Sequence, residues 1–291
     1  MAPSYYGSVR FAGPVRAGAP PWDITIPAWP MRLAGVTMAG FSGGASDPGD
    51  IDVIPHSSVM VIFDLGGAQM VVTDGSGQEQ QRERVVAGLA PRGIRGRGGG
   101  RSSFECLQVR LSPVVAHAVL GASSEFGGAV VTLDDLWGRD AARTHEQLRA
   151  ARSWEDRFAI AEAALVRRCD AGRVVDPEVA FSWRLMVANR GLIRVERLAA
   201  EVGWSRKRLW SRFRCQVGLT PKRAAQLIRF DRAAHRLAAG HSVALVAAES
   251  GYTDQSHLHR DAMAFTGLTP AAVAATPFLA VDDAAWPARD G

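Results

Sequence analysis

The chain has 291 residues, of which 47% are hydrophobic and 22% charged, so length and composition predict a folded globular protein of two domains. No apolar run reaches the ~18 residues that a membrane helix needs, and the N-terminus lacks the basic and apolar segments of a secretory signal. Three widely spaced cysteines argue against a disulfide framework and favour a cytoplasmic location, and the formal net charge is +5.

Short apolar runs within residues 1–125 predict β-strands. The runs are Val59–Leu65, Met70–Val72, Val85–Ala90 and Phe104–Leu111, and the last approaches the alternation of a half-buried strand. The turn cluster TDGSG lies between two such runs and predicts a hairpin, while GRGGG at residues 96–100 predicts a loop. We expect a compact β domain, either a barrel or a sandwich.

Helical patterns follow the strands. Pro113–Leu120 predicts a short helix that ends at Gly121. Ser153 and Asp156 have the spacing of a capping box. Behind this box, apolar residues form one helical stripe: Trp154, Phe158, Ala161, Leu165 and Cys169. The stripe is either part of the core or the seam of a helix-pair dimer.

A basic internal repeat occupies the C-terminal third. Pro177–Pro277 carries 15 basic and 7 acidic residues, a net charge of +8, and Asp176 with Pro177 predicts the start of a helix that Gly191 would end. LAAEVGWSRKRL followed by VGLTP is repeated as VAAESGYTDQSHL followed by TGLTP, and the turn glycines, Gly203 and Gly251, lie 48 residues apart. Each unit predicts a helix, a glycine turn, a second helix and a GLTP stop, which is the layout of a helix-turn-helix.

The residue types in each unit fit this layout. Ala199 and Ala247 are small where two helices cross, and Ser205 and Thr253 are predicted to cap the second helices. The expected apolar seam consists of Leu198, Val202, Leu209 and Phe213 in the first unit and Val246, Leu258 and Phe265 in the second.

The outer faces of the second helices carry the candidate DNA-binding residues. The first set is Arg206, Lys207, Arg208, Trp210, Ser211, Arg212 and Arg214, and the second set is Gln255, Ser256, His257, His259 and Arg260. Most of these side chains carry hydrogen-bond donors suited to base edges in a major groove.

Residues from about Val195 to Pro277 resemble the AraC/XylS transcription regulators. The resemblance lies in LAAEVGWS, Leu209, Phe213, the first GLTP and Arg229, and then in SGYTDQSHLHR and the second GLTP. It implies an α+β protein with an all-α double helix-turn-helix domain and, more loosely from LDDLWGRDA, a mainly β, cupin-like sensor domain. The family's fold further implies a linker helix over Lys222–Ala239 between the two units.

The resemblance also sets the expected domain boundaries. Residues 1–172 form the effector-binding or dimerisation domain, with a β part at 1–125 and a helical part at 126–172. The DNA-binding domain covers 173–277, with units at 195–216 and 243–266, and a tail follows at 278–291. Phosphate contacts are expected from a set of basic residues: Arg212, Arg214, Lys222, Arg223 and Arg229.

Two departures from the family pattern matter. Ser211 stands where the family commonly has Arg, so base readout would shift to Lys207 and Arg208 or rely on phosphates. Ala262 stands where the family usually has a core Phe, so Met263 or Phe265 must fill that volume. If neither does, the second unit would be loosely packed and act mainly as a phosphate anchor.

No catalytic residue, metal site or cofactor is predicted. His257 and His259 point to different helix faces, and GRGGGR, which could hold an anion, lacks the context of a phosphate loop. Cys106 is predicted to be a core residue. Three tryptophans either line a ligand pocket or belong to the core: Trp22, Trp29 and Trp137.

These observations favour a sequence-specific transcription regulator whose partner is double-stranded DNA. RNA polymerase, a small-molecule effector and a second copy of the chain are further expected partners, and no membrane is expected. Two alternatives stay open. A DNA-repair alkyltransferase would need a reactive cysteine within a metal-binding cysteine cluster, and an adaptor that does not bind DNA would use the repeat in degenerate form.

Overall fold

The computed structural model describes residues 8–11, 22–43, 50–52, 54–67, 70–73, 79–89, 95–97, 104–121 and 130–276, together with 279, 282, 285 and 286. The strands are β1 (Ser8–Phe11), β2 (Asp23–Pro27), β3 (Val36–Gly43), β4 (Asp50–Asp52), β5 (Val59–Asp64), β6 (Met70–Thr73), β7 (Glu79–Arg82), β8 (Arg84–Ala87), β9 (Arg95–Arg97), β10 (Phe104–Leu111) and β11 (Val130–Thr132). The helices are α1 (Pro113–Leu120), α2 (Leu133–Trp137), α3 (Arg139–Ala150), α4 (Trp154–Asp170), α5 (Pro177–Ala188), α6 (Val195–Glu201), α7 (Arg206–Val217), α8 (Pro221–Ala238), α9 (Val243–Glu249), α10 (Gln255–Thr266) and α11 (Pro270–Ala274).

The N-terminal part contains two antiparallel sheets. The larger has the strand order β1-β2-β3-β10-β5-β8-β11 and the smaller has the order β4-β9-β6-β7. In β5, Val59, Val61 and Phe63 pack into the main core, while Met60 and Ile62 face a second apolar cluster on the opposite side. Both faces of the larger sheet are therefore covered at β5, which explains why this strand is almost continuously apolar. The predicted mainly β N-terminal part is confirmed.

The predicted strand runs are all present, but two local predictions need correction. β6 pairs with β7, not with the run at Val85–Ala90, which forms β8 and pairs with β5. The sequence of β7, EQQR, contains no apolar residue, so hydrophobic periodicity did not predict this strand. The predicted loop GRGGG begins inside β9, since Gly96 and Arg97 pair with β4 and β6, while residues 98–100 lie outside the described residues.

The helical patterns agree with the structure. Helix α1 ends at Gly121, whose φ is 78°, and the Ser153 hydroxyl accepts a hydrogen bond from the Asp156 backbone amide at the start of α4. Phe158, Ala161 and Leu165 are buried in the main core, and the two ends of the stripe pack against it. The Trp154 ring lies directly over Gly40 in β3, where a Cβ atom would be 2.3 Å from it. The stripe on α4 therefore belongs to the core.

Helix α5 starts at Pro177 as predicted but ends at Ala188, before Gly191. The intervening turn has Arg190 at φ 55° and Gly191 at φ 73°. Gly191 is needed there because a Cβ atom would lie 2.2 Å from the carbonyl oxygen of Ala225 in α8.

Helix α8 connects two cores in the C-terminal part. Leu227 and Phe230 belong to the main core, which continues from the sheet through α1 and α4 into the first helix-turn-helix unit and reaches Phe265 of the second. Ala233 and Leu237 instead pack with Val246 and other residues of the second unit. The all-α C-terminal part is confirmed, and α1 contacts both α5 and α7. No helix within the described ranges is long and apolar enough to cross a bilayer.

We predict that Gly191→Ala lowers the free energy of unfolding by at least about 3 kcal/mol, because it adds a clash with the α8 backbone to the cost of a left-handed conformation. Gly203→Ala is the matched control: Gly203 has φ 65° and no atom within 4 Å of the added Cβ. It should cost only about 1–2 kcal/mol. Urea unfolding followed by circular dichroism measures both, and equal losses would contradict the close approach at Gly191.

Candidate nucleic-acid interface

The two helix-turn-helix units are built in the same way. The turn glycines, Gly203 and Gly251, have φ values of 65° and 74°. The residue after each glycine donates its backbone amide to a small residue of the preceding helix, Trp204 to Ala199 at 3.0 Å and Tyr252 to Ala247 at 3.0 Å. Since the internal contacts correspond, the repeat in the sequence is also a repeat in the structure.

The caps of the two second helices differ. The Ser205 hydroxyl accepts a hydrogen bond from the Arg208 backbone amide at 3.2 Å, as predicted for α7. In α10 the cap is Asp254, whose carboxylate accepts from the His257 amide at 2.7 Å. The prediction of Thr253 as the cap is therefore wrong by one residue, because the second unit has one residue more before its helix begins.

Each GLTP segment ends one helix and starts the next. Gly218 and Gly267 take left-handed conformations after α7 and α10. Two residues later, Thr220 and Thr269 accept hydrogen bonds from the third backbone amide beyond them and cap α8 and α11. A proline then occupies the first helical position, where no amide hydrogen is needed.

Helix α7 presents a mainly basic face. Its candidate residues are all exposed: Arg206, Lys207, Arg208, Trp210, Ser211, Arg212 and Arg214. Two of these arginines pair with carboxylates of the same domain. Arg206 lies 3.1 Å from Glu196, and Arg212 donates to both oxygens of Asp176 at 2.6 and 2.7 Å. The hydrogen bond from Arg212 holds the pKa of Asp176 below its ordinary value. Part of the positive charge on this face is therefore already neutralised.

Helix α10 presents a smaller polar face. Gln255, Ser256, His259 and Arg260 are exposed. The ring of His257 is half-buried and lies edge-on to Tyr252, with the ring centroids 5.1 Å apart. This packing makes His257 a support for the helix rather than a freely extended side chain.

Two residues expected at phosphates have internal partners instead. Arg229 is largely buried and donates to Asp261 at 2.9 Å, with its guanidinium 4.3 Å from the centre of the Tyr252 ring. Arg223 is half-buried, with its guanidinium 3.6 Å from the centre of the Phe265 ring. The spacing of basic residues along α8 could not reveal which of them face inward, whereas Lys222 is exposed.

The volume beside Ala262 is filled by Phe265. That side chain is fully buried and stacks on Phe230 of α8 with 5.1 Å between ring centroids. Met263, the other candidate, is 44% exposed. The second unit is therefore well packed.

The remaining candidates divide between core and surface. Cys106 is buried, and its burial together with the charge of Asp64 raises the pKa of the thiol, which disfavours the reactive thiolate. Trp22 and Trp137 are core residues, whereas Trp29 is 57% exposed. Trp29 lines an apolar cavity of about 170 Å³ together with Met31, Met38 and Trp286.

Comparisons with known proteins locate one domain. Residues 198–276 match the family model of a helix-turn-helix domain. No curated protein sequence matches the chain. ToxT from Vibrio cholerae O395 is similar over 85% of this chain and 98% of its own, with 9% identity and a TM-score of 0.47.

Further solved structures show similar values. ToxT bound to (E)-4-(8-methylnaphthalen-1-yl)but-3-enoic acid covers 84% of this chain and 99% of its own, with 10% identity and a TM-score of 0.49. The C-terminal domain of AraT, a response regulator from Geobacillus stearothermophilus, covers 35% of this chain and 87% of its own, with 17% identity and a TM-score of 0.33. All three TM-scores lie below 0.5.

We predict that Asp254→Ala lowers the free energy of unfolding by about 1 kcal/mol, because the first turn of α10 loses its side-chain acceptor. Thr253→Ala, one residue earlier, should leave the stability almost unchanged. Urea denaturation compares the two variants, and a larger loss for Thr253→Ala would restore the original assignment of the cap.

Proposed function

We propose that the C-terminal domain, whose residues 198–276 match a helix-turn-helix family model, inserts α7 and α10 into consecutive major grooves of one DNA duplex. The helix-turn-helix match and the resemblance of the repeat to the AraC/XylS regulators support a DNA-binding transcription regulator. The single observation that carries the finer proposal is that two correspondingly built units, each with an exposed second helix, pack on the same helix α8.

Base contacts are assigned to the exposed candidates that have no carboxylate partner among the ion pairs described above. On α7 these are Lys207, Trp210, Ser211 and Arg214, and on α10 they are Gln255, Ser256, His259 and Arg260. Lysine recognises the acceptors of guanine, and glutamine pairs with adenine through two hydrogen bonds. We assign His257 a positioning role, because its ring packs against Tyr252.

Phosphate contacts are assigned to two exposed basic residues, one on α7 and one on α8. Lys222 lies at the start of α8, and Arg208 lies on α7 with its guanidinium 4.4 Å from the centre of the Trp204 ring. Arg206 and Arg212 can reach phosphates only by leaving Glu196 and Asp176. The domain thus contacts DNA with fewer charges than its net +8 suggests.

Control by the N-terminal part is a further component of the proposal. The apolar cavity at Trp29 could take a small apolar effector, and its wall includes Trp286 from the C-terminal segment. A second copy of the chain and RNA polymerase are proposed partners on the family resemblance alone.

Footprinting tests the arrangement of the two helices. We expect protection of two adjacent major-groove segments on one face of the duplex, about 34 Å apart. The binding site need not be a palindrome, because one chain carries both reading helices. Protection of one groove segment alone would overturn the proposal.

We predict that Lys207→Ala and Gln255→Ala each weaken binding to the selected site by about 1–3 kcal/mol and relax the preference at one base pair. Gln147→Ala is the control, since Gln147 is exposed on α3, outside the DNA-binding domain. Site selection from random DNA followed by competition binding measures both effects. An equal loss on every sequence would reassign Lys207 and Gln255 to the DNA backbone.

We predict that Lys222→Ala weakens binding to all sequences alike and reduces the slope of log affinity against log salt by about 1. Arg229→Lys should leave that slope unchanged, because its partner is Asp261 inside the domain. Salt titrations of both variants decide this point. A chain that shows neither a slope nor a sequence preference would be an adaptor that does not bind DNA.

A further inference from the structure

A buried polar cluster joins the N-terminal part to helix α8 and to the C-terminal segment. It consists of His56, Arg110, Asp231, His235 and Asp282, and we call it the polar cluster. The side chains of His56 and Asp282 are 4% and 1% exposed, and that of His235 is 29% exposed. Two imidazoles, two carboxylates and one guanidinium thus lie together at a junction of three chain segments.

Asp231 orients both imidazole rings. Its carboxylate lies 3.3 Å from Nδ1 of His56, and its backbone oxygen lies 2.8 Å from Nδ1 of His235. The Ser57 hydroxyl and amide also donate to this carboxylate, at 2.6 and 2.9 Å, and hold it in place. With Nδ1 of each ring directed at Asp231, the two Nε2 atoms are directed away from it.

The two Nε2 atoms approach the same oxygen of Asp282. Nε2 of His235 lies 2.8 Å from Oδ2 of Asp282, and Nε2 of His56 lies 3.8 Å from that oxygen. Histidines that bind metals donate their other ring nitrogen to a carboxylate or a backbone carbonyl, which is the arrangement that Asp231 provides.

We propose that Nε2 of His56, Nε2 of His235 and Oδ2 of Asp282 bind a divalent transition-metal ion of the Zn²⁺ class. One potential ligand atom from each residue lies within 4.8 Å of the others. A tetrahedral zinc ion places its ligand atoms about 3.4 Å apart, and the 2.8 and 3.8 Å separations lie on either side of that value. Water completes the coordination, and imidazole with carboxylate suits Zn²⁺ better than Mg²⁺ or Ca²⁺.

Arg110 is the internal competitor of the ion. Its Nη2 lies 2.6 Å from Oδ1 of Asp282 and 3.1 Å from Nε2 of His56. Metal binding requires the guanidinium to release the His56 nitrogen, but it can keep its contact with Oδ1, which is not a proposed ligand. His235 is the partly exposed member of the three proposed ligands, so the site has one side open to solvent.

The proposal reverses the expectation of no metal site. Spacing along the chain draws attention to neighbouring histidines, such as His257 and His259. The proposed ligands instead lie on three distant segments, at positions 56, 235 and 282. Bound metal would fasten the N-terminal part to the helix that carries both reading units.

Titration of the untagged full chain with Co²⁺ and Zn²⁺ tests the site. We expect one Co²⁺ per chain with the visible bands of a tetrahedral site, displacement by Zn²⁺, and a thermal midpoint that rises with Zn²⁺ concentration. His235→Gln should weaken binding by more than about 100-fold, and Asp231→Asn by about 10–100-fold. Cys215→Ser is the control, because Cys215 is an exposed thiol on α7, and this variant should bind as the unaltered chain does.

Two further measurements exclude an unfolding artefact. The His235 side chain is partly exposed, so we expect His235→Gln to keep its fold, which circular dichroism checks. Loss of Co²⁺ binding by this folded variant then reflects the loss of a ligand. Arg110→Gln should bind Co²⁺ at least as tightly as the unaltered chain, since it removes the competitor. The proposal fails if the unaltered chain binds no ion, if folded His235→Gln binds as tightly, or if folded Arg110→Gln loses binding. The polar cluster would then be an ion-pair network alone.

Discussion

Helix α8 fixes the geometry of the DNA-binding domain because its apolar side chains belong to two cores at once. Leu227 and Phe230 belong to the core shared with the first unit and the N-terminal part, although Phe230 also stacks on Phe265 of the second unit. Ala233 and Leu237 pack with the second unit alone. At a rise of 1.5 Å per residue the 18 residues of this helix span about 27 Å. Neither unit can tilt without disturbing buried contacts on this helix.

The same helix also meets the N-terminal part through polar contacts. Asp231 and His235 lie one helical turn apart and face His56 and Asp282 across the junction. The junction therefore combines an apolar core, which tolerates small shifts, with charged hydrogen bonds that require exact positions. A change on the N-terminal side has a direct physical connection to α8, the element on which both helix-turn-helix units pack.

Local signals in the sequence predicted most of the helices. The backbone turns at Gly203, at Gly251 and in the GLTP segments follow from the residue types at those positions. No contact with a distant residue is needed to form them. The inward direction of Arg229 and the half-buried ring of His257 depend on Asp261 and Tyr252, which only the folded domain brings near.

Strand pairing and the polar cluster were harder to predict for the same reason. The composition of β7 does not predict a strand. Its strand conformation is stabilised by pairing with β6, which the sequence of β7 alone does not reveal. In the polar cluster, His56 and Asp231 are 175 residues apart along the chain. Single residues that are so far apart along the chain form no pattern that periodicity or spacing can detect.

The distribution of lysine has a practical consequence. The sequence contains 32 arginines but only Lys207 and Lys222, and both are exposed in the DNA-binding domain. Reagents that acylate amines do not modify guanidinium groups. The side chains that they label would therefore be those of the two lysines, both in this domain. A fluorophore introduced in this way would report on the proposed DNA-facing surface, and no cysteine would have to be engineered.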